Sequence, residues 1–244
     1  VPARLSNSDS HLGRLVLKLQ DYIDHTLLKS EATRADVERL CAEAEEFGFF
    51  AVCVYGSWVS ECRNLLREVD TKVVSVAGFP AGANTPQAKA AEVSQLVELG
   101  AEEIDVVAPI GRILMGDWSY VAEDVDAVVQ AAAGRTVKVI LETAVLTPGH
   151  IVEASSAAVA CGAGFVKTST GHHAAGGATV EAVQLIRRTV GDVIGVKAAG
   201  GIRDRETALR MMEAGATRIG TSSGVSIVIG GAGSGEQGAV MPRW

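Results

Sequence analysis

Short apolar runs alternate along this chain with longer stretches whose apolar residues return every three or four positions. The runs cover residues 22–26, 49–55, 72–77, 104–107, 137–141, 165–167, 195–198 and 218–220, and each predicts a short strand. The stretches between them predict amphipathic helices. The first carries Val37, Leu40, Ala44 and Phe47 on one face. Further helices are predicted over 57–66, 86–99, 118–133, 148–161, 179–190, 205–214 and 222–229. Thr33, Thr147 and Asp204 stand where N-caps belong, Pro86 and Pro148 sit just inside helix starts, and Gly48, Gly100, Gly134 and Gly162 follow helix ends. Leu12, Leu15, Val16 and Leu19 recur at helical spacing and predict a short helix in the leader.

Strands that alternate with helices pair in parallel and are covered on both faces. The count of eight and the chain length of 244 residues favour a closed α/β (β/α)8 TIM barrel over an open doubly wound sheet. One barrel domain is expected over 21–229, with an N-terminal helix or leader over 1–20 and a glycine-rich, flexible tail over 230–244. No GxGxxG follows the first strand, which weighs against a dinucleotide-binding redox enzyme.

Composition narrows this picture. Hydrophobic residues make up 48% of the chain, enough for a sizeable core, and the formal net charge of −7 disfavours a nucleic-acid surface. No apolar run approaches the roughly 18–20 residues of a membrane span, and the opening residues lack a secretory signal pattern, so a cytoplasmic location without membrane contact is expected. Cys41, Cys53, Cys62 and Cys161 form no CxxC pair, and the five histidines show no metal-ligand spacing. Neither a metal nor another cofactor is expected.

Two lysines change the picture more. Lys167, in Phe165-Val166-Lys167-Thr168-Ser169-Thr170-Gly171, and Lys197, in Gly195-Val196-Lys197-Ala198-Ala199-Gly200-Gly201, each sit inside an apolar strand that ends in small residues. A buried lysine needs a partner or a use. Desolvation or a second nearby cation makes its amine a nucleophile able to form a Schiff base with a carbonyl. In a barrel, function gathers at the C-terminal ends of the strands. Asp24, Thr26, Asp105, Lys138 and Glu142 lie in or at the ends of other strands, so mixed charges can share the interior. Thr170-Gly171, Gly200-Gly201 and the segment Gly220-Thr221-Ser222-Ser223-Gly224 follow strands six, seven and eight. Backbone N–H groups there suit a phosphate.

These motifs together resemble the deoxyribose-phosphate aldolases, a class I aldolase family. The matching stretches are IDHT from Ile23, AVCV from Ala51, GFPAG from Gly78, EIDVV from Glu103, VKVILET from Val137, FVKTSTG from Phe165, VKAAGGIR from Val196 and RIGTSSG from Arg218. The resemblance implies reversible cleavage of 2-deoxy-D-ribose 5-phosphate to D-glyceraldehyde 3-phosphate and acetaldehyde. It implies Lys167 as the Schiff-base lysine, Lys197 as the cation that lowers its pKa, and Asp105 as the group that moves protons. Lys138 would hold that proton network and Asp24 would brace Lys197. Thr170, Gly171, Gly200, Gly201, Gly220, Ser222 and Ser223 would bind the phosphate, and Thr26 and Cys53 would line the pocket. A homo-oligomer, dimer or tetramer, is implied as well. The chain departs from the family in carrying His172 after KTSTG, where some relatives have a lysine that touches phosphate. It also has no tyrosine after Tyr120, where some relatives end in one. Another Schiff-base sugar-phosphate aldolase or transaldolase stays open as an alternative, as does a sugar-phosphate-binding barrel that does not catalyse.

Overall fold

The computed structural model describes residues 18–230. The helix expected from Leu12, Leu15 and Val16 and the glycine-rich tail lie outside these residues; the described chain opens with a 3-10 turn, Leu19–Tyr22.

Eight parallel strands close on themselves in sequence order, β1 (Ile23–Leu27), β2 (Ala51–Val54), β3 (Lys72–Ala77), β4 (Glu103–Val107), β5 (Thr136–Ile140), β6 (Phe165–Lys167), β7 (Gly195–Ala199) and β8 (Arg218–Thr221). Outside them run α1 (Arg34–Phe47), α2 (Val59–Leu65), α3 (Pro86–Glu98), α4 (Ile110–Leu114), α5 (Trp118–Ala131), α6 (Pro148–Ala160), α7 (Val180–Val190), α8 (Arg205–Glu213) and α9 (Gly224–Ile229). The expected barrel is present. Helix starts follow local side-chain chemistry. Thr85, Thr147, Thr179 and Asp204 each accept a hydrogen bond from a first-turn N–H, and Pro86 and Pro148 occupy positions whose N–H has no helical partner.

Three details differ from expectation. The strand expected over 49–55 narrows to Ala51–Val54, because Gly56–Trp58 turns as a 3-10 helix and takes the first residues of the helix expected over 57–66. The short helix α4, where Ile113 is buried against its neighbours, was not predicted; five residues are too few for a helical period to register. A fully buried ion pair was also not anticipated. Lys89 on α3 donates to Asp124 on α5 and to the Val107 carbonyl at the end of β4, each at 2.8 Å. On a helix, a lysine and an aspartate ordinarily mark the solvated face.

The pleat sorts each strand into two sets. Val52, Val73, Ile104, Val139, Val166, Val196 and Ile219 pack outward against the helices. The inward set is split. Ala51, Cys53, Val74 and Val76 make an apolar wall on β2 and β3. The remaining strands supply Asp24, Glu103, Asp105, Lys138, Lys167, Lys197 and Arg218, all buried. Register makes them neighbours: Asp105 pairs with Lys138, Lys167 with Lys197, and Lys197 with Arg218. The N-terminal end of the barrel is closed by aromatic rings, with the Arg218 guanidinium 3.5 Å from the centre of Phe50 and 5.2 Å from that of Phe165.

Candidate active site

The buried charges form one network. Lys167 Nζ and Lys197 Nζ both donate to Asp105 Oδ2, each at 2.8 Å, so one carboxylate oxygen holds the two amines together. Lys138 donates to the other oxygen, Asp105 Oδ1, at 2.8 Å and lies 2.7 Å from Glu103 Oε2. Lys197 also donates to Asp24 Oδ2, and Arg218 joins Asp24 Oδ1 at 2.9 Å to Glu103 Oε2 at 3.1 Å. The two lysines singled out by sequence therefore meet inside the barrel.

Electrostatics separates them. Burial is the largest influence on Lys167 and lowers its pKa; Asp105 opposes this, and the Lys197 charge lowers it further, leaving a net depression. Burial would also lower Lys197, but Asp105 and Asp24 outweigh it and its pKa is raised. Burial would raise Asp24, yet Lys197, Lys138 and Arg218 hold it down at about 2. Asp105 is likewise pushed well below the ordinary carboxylate range, against burial, by Lys138, Lys167 and Lys197. The network thus keeps Lys197 charged and loosens the proton on Lys167. The Lys197 charge acts on Lys167 in the direction expected, after burial and Asp105 in size.

Above Lys167, at the C-terminal mouth, lies a cavity of about 250 Å³. Of the residues read from sequence, Lys167, Thr26, Thr170, Gly171, Gly200, Gly201, Gly220 and Ser222 line it. The others do not. Asp24, Asp105, Lys138, Lys197 and Cys53 are buried beneath it, and Ser223 stands at its edge, its N–H donated to the Thr221 hydroxyl at 2.9 Å. Lys138, through Asp105, and Asp24, through Lys197, support the amines from below. The Cys53 thiol is enclosed in the apolar wall, where burial, with Asp105 adding to it, pushes its pKa up to about 11.

The cavity walls are built by loops in close contact. Gly200 adopts a φ of 90°, and a Cβ there would come within 2.9 Å of Gly177 Cα and 3.3 Å of Gly171 Cα, so the loops after β6 and β7 touch backbone to backbone. Among the described residues, the N–H groups of Gly171, Gly200, Gly201 and Ser222 make no backbone hydrogen bond. Glu142, buried at a φ of 58°, accepts from the N–H and the hydroxyl of Thr170 and so fixes the loop that follows Lys167. Gly220 lines the cavity and also packs against Lys197. A Cβ on it would lie 2.9 Å from Lys197 Cε, so the glycine makes room for the lysine stem. Of the basic residues that line the cavity, Lys29 and Arg203 were not read as site residues, and His172 was read only as a departure from the family. Arg203 closes the motif VKAAGGIR and was visible; Lys29 lies beyond the first strand and had no signal. His172 is tied down, with Nε2 3.1 Å from the Leu28 carbonyl and its ring edge-on to Phe79 at 5.0 Å.

The closed barrel matches known proteins. The family model for DeoC/LacD family aldolases matches residues 19–232. The chain belongs to this aldolase family. It is 53% identical over 209 residues to the deoxyribose-phosphate aldolase of Geobacillus sp. (strain WCH70), covering 85% of this chain and 93% of the relative. It is 50% identical over 214 residues to the deoxyribose-phosphate aldolase of Streptococcus uberis, covering 88% and 97%. Among solved structures, the tetrameric deoxyribose phosphate aldolase from Aeropyrum pernix superposes with a TM-score of 0.80 at 34% identity, covering 86% of this chain and 89% of the other.

Proposed function

We propose that this chain is a class I deoxyribose-phosphate aldolase, reversibly cleaving 2-deoxy-D-ribose 5-phosphate to D-glyceraldehyde 3-phosphate and acetaldehyde. One observation carries the choice of nucleophile: among the described cations inside the barrel, Lys138, Lys167, Lys197 and Arg218, only Lys167 opens onto the cavity, and its proton is loosened where those of Lys197 and Arg218 are held.

In this reading the neutral Lys167 amine adds to the C1 aldehyde of the open-chain sugar, and loss of water leaves a protonated imine. A base takes the proton from the 3-hydroxyl, the C2–C3 bond breaks, and its electron pair moves into the imine to give an enamine. Glyceraldehyde 3-phosphate departs. The enamine takes a proton at C2, and water releases acetaldehyde from Lys167. Asp105, joined to Lys167 directly, is the carboxylate placed to exchange protons with the nitrogen during carbinolamine formation and loss. Lys197, braced by Asp24, keeps a positive charge beside it. The N–H groups of Gly171, Gly200, Gly201 and Ser222, with Lys29 and Arg203, supply donors and charge for the phosphate. The catalytic unit is the barrel over 21–229; a homo-oligomer, dimer or tetramer, in the cytoplasm completes the proposal. Among the described residues no helix is long and apolar enough to cross a membrane.

A coupled assay for glyceraldehyde 3-phosphate released from 2-deoxyribose 5-phosphate tests the reaction. Borohydride reduction with acetaldehyde tests the intermediate and should leave a two-carbon adduct on Lys167. A folded protein with neither turnover nor adduct would defeat the proposal. Light scattering on the eluting protein reads the oligomer.

A further inference from the structure

The lower half of the barrel interior carries charged residues that never reach the cavity. Arg218 and Glu103 sit at the first positions of β8 and β4, at the end away from the mouth. The Schiff-base reading does not use them.

The groups facing Lys167 inside the barrel can be counted. The carboxylates are Asp24 from β1 and Glu103 and Asp105 from β4; the cations are Lys138 from β5, Lys167 itself, Lys197 from β7 and Arg218 from β8. From β2 comes Cys53, a neutral thiol. From β3, Lys72 reaches Glu103 at 3.3 Å, but its side chain is 41% exposed and screened by water. At the mouth, Lys29, Arg203 and His172 border the cavity, and Glu142 is turned to Thr170. With every interior group ionised, three carboxylates face four cations, one positive charge too many for a dry interior. One amine must give way. Arg218 cannot lose its proton. Lys197 and Lys138 each bridge two carboxylates, whereas Lys167 meets Asp105 alone and shares that oxygen with Lys197.

We infer that the charge balance at the closed end of the barrel, set by Arg218 and Glu103, decides whether Lys167 holds a proton. Neither residue touches substrate; both act on Lys167 through Asp24, Lys138, Lys197 and Asp105. The inference rests on the Schiff-base reading and extends it to residues outside the cavity. Replacing Arg218 by methionine leaves three cations against three carboxylates, and the Lys167 proton is held more tightly. Replacing Glu103 by glutamine leaves four against two, and it is released more easily. Removing both restores the original excess of one. At an effective dielectric of about 20, a charge on the order of 10 Å away acts on a proton strongly enough that each single change moves the midpoint by on the order of one pH unit.

The test measures the rate of acetaldehyde adduct formation on Lys167 with cyanoborohydride between about pH 5 and 9, the adduct located by peptide mass spectrometry. Acetaldehyde has no titratable group, so the midpoint belongs to the protein. Arg218→Met should raise the midpoint by about one unit, Glu103→Gln should lower it by about one, and the double variant should return to the parent value. A purely structural role would add damage to damage in the double variant rather than cancel it. If either single variant fails to fold, the other decides by its own sign. Adducts on Lys167 with unmoved midpoints, or midpoints that move the same way, overturn the inference and leave the Schiff-base reading standing. Absence of any adduct in the folded parent defeats that reading, and this inference with it.

Discussion

Lys197→Met tests the link between geometry and reactivity most directly. The substitution keeps an unbranched stem of similar volume in the space beside Gly220 and removes only the charge. The two amines share Asp105 Oδ2 at 2.8 Å each, so their nitrogens lie within two hydrogen-bond lengths. At roughly 5 Å and an effective dielectric of about 20, the repulsion between two ammonium groups is about 3 kcal/mol, or about 2 pKa units. Losing it returns that much proton affinity to Lys167, and Asp105 and Asp24, relieved of one cation, add to the effect. The neutral fraction of Lys167 should fall roughly 100-fold wherever the parent amine titrates. Initial rates of 2-deoxyribose 5-phosphate cleavage across a pH series check this. The expected result is a loss of about two orders of magnitude near neutral pH, partly recovered as the pH rises. A profile lowered uniformly, with its acid limb unmoved, would refute the electrostatic role and leave Lys197 a packing element.

The remaining predictions concern the supports. Gly220→Ala drives a methyl to 2.9 Å from Lys197 Cε, whose amine is pinned by two carboxylates; turnover should fall about tenfold with KM little changed, against the large KM effect a phosphate contact would give. Glu142→Ala releases Thr170 and should raise KM for the phosphorylated sugar about tenfold while sparing cleavage of unphosphorylated 2-deoxyribose; equal losses on both substrates would count against it. Arg203→Ala should weaken the phosphorylated substrate by a similar factor, with a shallower salt dependence, measured as KM against ionic strength. Asp24 has a folded pKa of about 2, below its unfolded value of about 3.8, so its share of stability is full above the latter and lost as pH falls through the former. The unfolding temperature should therefore drop steeply between about pH 4 and 2, and a flat curve there would contradict the ion network.

The order of strands and helices was legible because each element announces its own period and its own punctuation. Thr147 followed by Pro148, and Asp204 before Arg205, are local signals, and the helices start where they say. Lys167 was legible for a related reason: a charge inside a three-residue apolar strand asks for a partner or a use. Glu103 and Arg218 were harder, since a charged residue opening a strand reads as its solvated end. The signal was nonetheless present, because Glu103 is two residues before Asp105 and so shares its face. Lys29 and the buried Lys89–Asp124 pair carried no such sign, as nothing local to either segment says what covers it.

Alternation and caps, properties of neighbouring residues, determined that this chain builds a (β/α)8 barrel. Tertiary structure alone decided that both amines, Lys167 and Lys197, face the interior, which of them opens on the cavity, which carboxylate joins them, and that Gly220 leaves room for the Lys197 stem. The reason is that a proton's free energy depends on every charge within about 10 Å in a dry interior. Barrel closure brings β1 against β8, so charges far apart in the chain enter that sum.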